Sequence, residues 1–331
     1  MLTRRENMVE VIKGGKPDRF VKQFEALALI KGAPLISPRP VKGGEPVANA
    51  WGVYHTYPEG QPGVFPVHTP ECIVVKDIEH WRDYVKAPSY QFSDAEWEPF
   101  VAQAEAIDRK DQFVTAFFAP GIFEQCHHLN SIERFMIYLY EYPEEIHELI
   151  KYLVEYEIEM AEAWFDHVHP DAVFHHDDWG TQISTFISPE MFAEFYLDAY
   201  KEVYGYYRER GAELIVHHSD SYAATLIPYM IEMGIDVWQG AMTVNNIPEC
   251  IKKYGPQLTF MGDIDSGVVD RATWTPERIE NEVRRACLEC GPLYFIPGAS
   301  QGGTGSTFPG VYDCINEKID QMTQELHYMF E

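Results

Sequence analysis

The sequence predicts an α/β fold: a (β/α)8 TIM-type barrel in a single domain, preceded by an N-terminal helical and loop extension. Three observations carry this expectation. Apolar, β-rich runs alternate with helical patterns, most of them ten or more residues long, as a parallel sheet requires. Four of those runs end in polar clusters: Phe174-His175-His176-Asp177-Asp178-Trp179, Val216-His217-His218-Ser219-Asp220, Phe260-Met261-Gly262-Asp263-Ile264-Asp265 and Ile296-Pro297-Gly298-Ala299-Ser300-Gln301. No glycine-rich phosphate loop follows an early strand, which disfavours a doubly wound open sheet. In a closed barrel the C-terminal strand ends converge on one face, and that face carries the chemistry.

Taken in order, Thr3-Arg4-Arg5-Glu6 reads as a capping box that opens a helix stopped by Gly14-Gly15. Strands are expected at 20–27, 113–119, 172–176, 213–216, 236–239, 258–261 and 293–296. An eighth is sought within residues 51–77. Ser188-Pro189 and Thr275-Pro276 supply N-caps followed by proline at the first helical position. Residues 32–70 are rich in proline and glycine, and the aromatics there favour an ordered insertion or lid, about 32–77, near the barrel mouth. The glycine-rich stretch 298–305 lacks the spacing of a nucleotide loop and reads as a gate over the pocket.

Bulk properties exclude several classes. The formal net charge of −26 over 331 residues argues against nucleic acid and against an anionic membrane surface. The N-terminus is polar and no apolar run approaches the roughly 20 residues that span a bilayer, so the expected location is cytoplasmic. Six cysteines are too few for a disulfide scaffold, and the lone pair Cys287 and Cys290 reads as helix-end cysteines.

Side chains alternate between the faces of a strand, so Ile215, His217 and Ser219 share one face and Val216, His218 and Asp220 the other. The expectation places His217 inside the mouth as a metal ligand, with His218 or Asp220 orienting it. Asp177 and Asp178 point to opposite faces, one toward the pocket and one toward a turn, and which is which stays open. Asp263 and Asp265 either share the pocket face or fix the loop around Gly262. A further set, Glu133, Glu148 and His169, reads as surface groups.

Over nearly its whole length the chain resembles the uroporphyrinogen decarboxylase superfamily. The segment from Thr3-Arg4-Arg5-Glu6-Asn7 to Gly15-Lys16-Pro17-Asp18-Arg19 is similar to that family's N-terminal signature. His176-Asp177-Asp178-Trp179-Gly180, His217-His218-Ser219-Asp220 and Met261-Gly262-Asp263-Ile264-Asp265 are similar to its strand-end motifs. The decarboxylases grip an acidic tetrapyrrole with an arginine-rich segment, which is missing after Arg19. The corrinoid-dependent methyltransferases that act on thiols bind zinc through His-x-Cys and a later Cys. Here those positions hold His217, Ser219 and Gly298 or Ala299, so both thiolates are gone. The wording around His217, Trp238-Gln239-Gly240 and Asp263 most resembles the veratrol-type corrinoid protein methyltransferases.

That resemblance implies transfer of a methyl group from a methoxylated aromatic to the Co(I) corrinoid of a partner protein. It implies zinc held by His217, Asp178 and Asp263, with Asp177 and Asp220 as further acid/base groups. Trp51, Tyr54, Phe117, Phe118, His176, Trp179, Gln239 and Gln301 are expected to contact substrate. A decarboxylase of a small aromatic or tetrapyrrole acid, and a catalytically silent ligand- or corrinoid-binding protein, are the alternatives. The chain leaves monomer and homodimer equally open.

Overall fold

The computed structural model describes residues 1–331 apart from Ile36 and Pro62, both of which fall within the expected lid segment 32–77. Ten strands occur among the described residues: β1 (Leu27–Leu29), β2 (Val47–Ala48), β3 (Tyr54–Thr56), β4 (Phe65–Pro66), β5 (Phe113–Phe118), β6 (Ala172–His176), β7 (Leu214–His218), β8 (Val237–Ala241), β9 (Thr259–Ile264) and β10 (Phe295–Ala299). Seven of them form one parallel sheet in chain order, β1-β5-β6-β7-β8-β9-β10, with helices in the connections. This is the expected TIM-like α/β architecture in one curled sheet.

Two expectations shift. The first strand is Leu27–Leu29 rather than 20–27, because Glu25 and Leu27 donate their amides back to Lys22 and Phe24 and fold residues 22–27 into turns. Phe20 and Val21 are buried all the same, so hydrophobicity alone could not separate turn from strand. The second concerns residues 51–77, which supply no eighth barrel strand among the described residues. β2, β3 and β4 instead pair antiparallel as a small separate sheet.

The parallel strands are buried on both faces, as such sheets require. The inner face carries Leu27, Phe113, Phe174, Val216, Val237, Met261 and Ile296. Met8 and Val11 of the N-terminal helix (Arg4–Lys13) join that cluster, and Tyr294 at the start of β10 donates its amide to Val11. The first helix thus closes the N-terminal end of the barrel; its capping box on Thr3 and Glu6 forms as expected. Burying a side chain such as Met8 contributes roughly 1.5–3 kcal/mol. The outer face (Val114, Ala116, Val173, Ile215, Trp238, Phe260) packs against the helices, among them Pro143–His167 and Asp198–Glu209. Ser188 caps the next helix through the Met191 amide, as the Ser-Pro pair predicts. No described helix is long and apolar enough to cross a membrane.

Candidate active site

The inner face fixes which histidines reach the mouth. Phe174 and Val216 belong to the inner core, so His176 and His218, two residues further on, share that face. These two are partners in the β6–β7 register, and their rings stack with centroids 4.3 Å apart. Asp178 follows β6, and its Oδ1 lies 3.7 Å from His218 Nε2. One ligand atom from each of His176, Asp178 and His218 lies within 4.8 Å of the other two.

Both imidazoles are oriented from behind. His176 Nδ1 lies 3.0 Å from Glu124 Oε2, which leaves its Nε2 free. His218 Nδ1 bonds the Gln239 side-chain oxygen, and Gln239 in turn donates to the Ser300 carbonyl at 3.1 Å. Gln239 is the β8 register partner of His218, which is why the two meet. Two imidazoles with occupied Nδ1 atoms and one carboxylate form the donor set that a borderline divalent metal prefers, complete with orienting partners. Burial alone would pull His176 down, but Glu124, Asp178 and Asp177 outweigh it and push the imidazole up to about 9, so a metal bound at Nε2 would displace a proton. Asp220 lies beside them, its amide 3.0 Å from Asp178 Oδ1. Burial and then the Asp178 charge push its carboxyl up to about 7, with His176 opposing.

The adjacent residues point outward, and the expected facing of His217 is reversed. His217 is fully buried between the sheet and the helix Asp198–Glu209. Its ring stacks on Trp179 at 3.8 Å, its Nδ1 lies 2.8 Å from the Tyr204 hydroxyl, and its Nε2 lies 3.2 Å from the Asp177 carbonyl. The Tyr204 hydroxyl also meets His175 Nδ1 at 3.2 Å, and His175 Nε2 meets Glu157 at 3.2 Å. A single proton order satisfies the whole chain. His217 Nε2–H donates to Asp177, Tyr204 donates to His217, and a charged His175 donates to Tyr204 and to Glu157. Burial and the neighbouring imidazoles hold His217 far below the ordinary histidine range. With both ring nitrogens engaged, it has no lone pair to offer a metal.

Asp177 also faces outward. Its two oxygens accept the amides of Phe123 and Glu124, and the Tyr200 hydroxyl donates to it as well. It therefore caps the helix Ile122–Asn130, whose own N-cap, Gly121, has no side chain to do so. A Cβ at Gly121 would lie 2.5 Å from the Asp177 Cβ and from the His175 ring, so only glycine permits the approach. Asp263 lies outside the mouth too. A bulge between Gln239 and Ala241 opposite Gly262 disturbs the β8–β9 register, and Asp263 adopts φ 59°. Its carboxylate lies 3.0 Å from Arg285 and 3.4 Å from Cys290 Sγ, both on the helix Pro276–Cys290. The expected metal trio His217, Asp178 and Asp263 is accordingly not brought together.

Of the expected substrate contacts, Phe117 is exposed toward the mouth, stacked on Phe174 at 5.5 Å and 6.4 Å from His176. Phe118 and Trp179 pack outward, the former against Trp164 and Tyr207. Trp51 packs edge-on to Tyr156 at 4.7 Å, and Tyr54 is exposed on β3. Gln301 donates to Asp270 at 2.6 Å. Glu124 is the residue that strand-end reasoning missed. The signal lay in Glu124-Gln125-Cys126-His127-His128, whose first, fourth and fifth residues share one helix face.

Residues 47–296 match the family model for uroporphyrinogen decarboxylase (URO-D). The chain belongs to the uroporphyrinogen decarboxylase family. A solved methyltransferase from Methanosarcina mazei has the same fold, with a TM-score of 0.66 and 14% identity over 97% of this chain and 99% of that one. A D-allulose 3-epimerase from Methylomonas sp. aligns over 71% of this chain and 93% of its own, at 10% identity and a TM-score of 0.34. No curated protein matches.

Proposed function

We propose that this family member is a methyltransferase that moves the methyl group of an aryl methyl ether to the Co(I) corrinoid of a partner protein. The observation that carries the reading is the thiolate-free group His176, Asp178 and His218 at the barrel mouth. The residues fit a zinc ion: two imidazoles with their other nitrogens occupied, one carboxylate, and Glu124 and Gln239 behind. Bound there, zinc would supply a Lewis acid for the ether oxygen, harder than a site containing thiolates.

The rest is the work of the chain. Glu124 and Gln239 fix which ring nitrogen of each histidine faces the mouth. Phe117, backed by Phe174, offers a flat apolar wall against which a methoxylated ring can stack. In the reaction the methyl–oxygen bond breaks, its electron pair stays on the phenolate, and cobalt supplies the pair for the new carbon–cobalt bond. The Methanosarcina mazei protein that shares this fold is a methyltransferase, which supports this branch of the family over decarboxylation.

The test supplies methoxylated benzenes and free cob(I)alamin and follows methylcobalamin by absorbance, with His218→Ala beside the wild type. Methylation that falls at least about 100-fold in the variant is expected. Release of CO2 from an aromatic or tetrapyrrole acid without any corrinoid would establish decarboxylation instead. Ligand binding with no turnover of any donor would make the chain a silent binder.

A further inference from the structure

Beside the mouth lies a second imidazole cluster that the proposed reaction does not use. His127 and His128 leave one face of the helix Ile122–Asn130, with ring centroids 4.8 Å apart and planes perpendicular. Together with Glu124 they present three ligand atoms within 4.8 Å of one another. The lid closes over them. His55, on β3, brings its ring to 5.8 Å from that of His128. His68 follows β4, close enough that its charge would act on both His127 and His128.

The nitrogen inventory is unusual for packed histidines. His55 Nδ1 lies 3.1 Å from the Val53 carbonyl and donates to it, so its Nε2 carries a free lone pair. His68 Nε2 and His127 Nδ1 are buried and have no hydrogen-bond partner. Buried polar groups in folded chains are normally paired, and two orphans in one cluster call for a ligand. Glu124 meets His176 through Oε2, and one of its oxygens lies within ligand reach of His127 and His128.

We infer a second transition-metal site, separate from His176–Asp178–His218, built by His127, His128 and Glu124 and completed by His55 and His68 of the lid. Its nitrogen-rich donor set selects a zinc-like divalent ion over magnesium or calcium. Because the donors come from both the lid and the barrel, the ion latches the lid against the helix that begins at the mouth. The inference holds whatever reaction the mouth performs.

The test uses the full-length chain, stripped with chelator and titrated with Co2+, read by visible absorption and by metal content per chain. The wild type should bind two equivalents. One of them should survive His218→Ala, weaken roughly tenfold or more in the double lid variant His55→Gln/His68→Gln, and vanish in His127→Asn/His128→Asn. Far-UV circular dichroism checks that each variant is folded. A single equivalent that His218→Ala removes would overturn the second site and leave the first standing. A single equivalent that survives His218→Ala and is lost with the lid and helix histidines would do the reverse. An equivalent indifferent to all four cluster histidines, or no binding at all, overturns the inference.

Discussion

Two pairs of histidines sit on neighbouring strands, one residue apart, and meet opposite fates. His175 and His217 face the helices; His176 and His218 face the barrel lumen. The outer pair is locked into a chain from Glu157 through Tyr204 to the Asp177 carbonyl, with both nitrogens of each ring engaged. In the inner pair one nitrogen of each ring is anchored, by Glu124 or Gln239, and the other is turned toward Asp178 and the mouth. Identical residue types are thus fully engaged on one face and left with an open ring nitrogen on the other, and the hydrogen-bond inventory is what separates them.

The largest expected contrast follows directly. His176→Ala or His218→Ala should abolish metal binding at the mouth and lower methyl transfer by at least about 100-fold. His217→Ala should keep the metal and lose stability. If His217→Ala also emptied the mouth of metal while remaining as stable as the wild type, the assignment of faces would be wrong. Glu124→Gln comes next. It keeps the shape but removes the charge behind His176, and metal affinity should fall about 10–100-fold, measured by competition with a chromophoric chelator.

His217→Ala itself is the third step. It removes the ring stacked on Trp179 and strands the Tyr204 hydroxyl and the Asp177 carbonyl in a dry layer. Unpaired buried groups cost about 1–3 kcal/mol each, so a loss of roughly 2–4 kcal/mol in equilibrium urea unfolding is expected. Asp177→Ala removes the cap from the helix that carries Glu124 and should cost about 1–2 kcal/mol. It should weaken metal binding less than Glu124→Gln does.

The barrel was legible in the sequence because strand–helix alternation and the caps at Thr3, Ser188 and Thr275 are local signals. The facing of the site was not. On β7, Leu214, Ile215 and Val216 are all apolar and all buried, since helices cover one side and the lumen core the other. Alternation says that His217 and His218 oppose each other but gives no polarity contrast to say which one looks inward. Glu124 escaped for another reason. Its partner His176 lies 52 residues away on a different element, and only the packing of that helix beside the parallel sheet brings them to 3.0 Å. The β2–β4 sheet was hidden by strands of two or three residues, too short for any periodicity.

The smallest predicted effect tests the same distinction at a third strand. Asp263 ends up beside Arg285 and Cys290 because the bulge at Gly262 turns it away from the lumen. Arg285 also reaches Glu282 and Glu289, so it keeps two carboxylate partners when Asp263 is neutralised. Asp263→Asn should therefore cost no more than about 1–3 kcal/mol, the range for a hydrogen bond to a charged group, and should change methyl transfer and metal content less than about twofold. A large loss of metal with unchanged stability would return Asp263 to the mouth. It would mean that β9 can release its bulge and present the carboxylate inward, making the inner and outer faces of that strand interchangeable in a way the paired histidines of β6 and β7 are not.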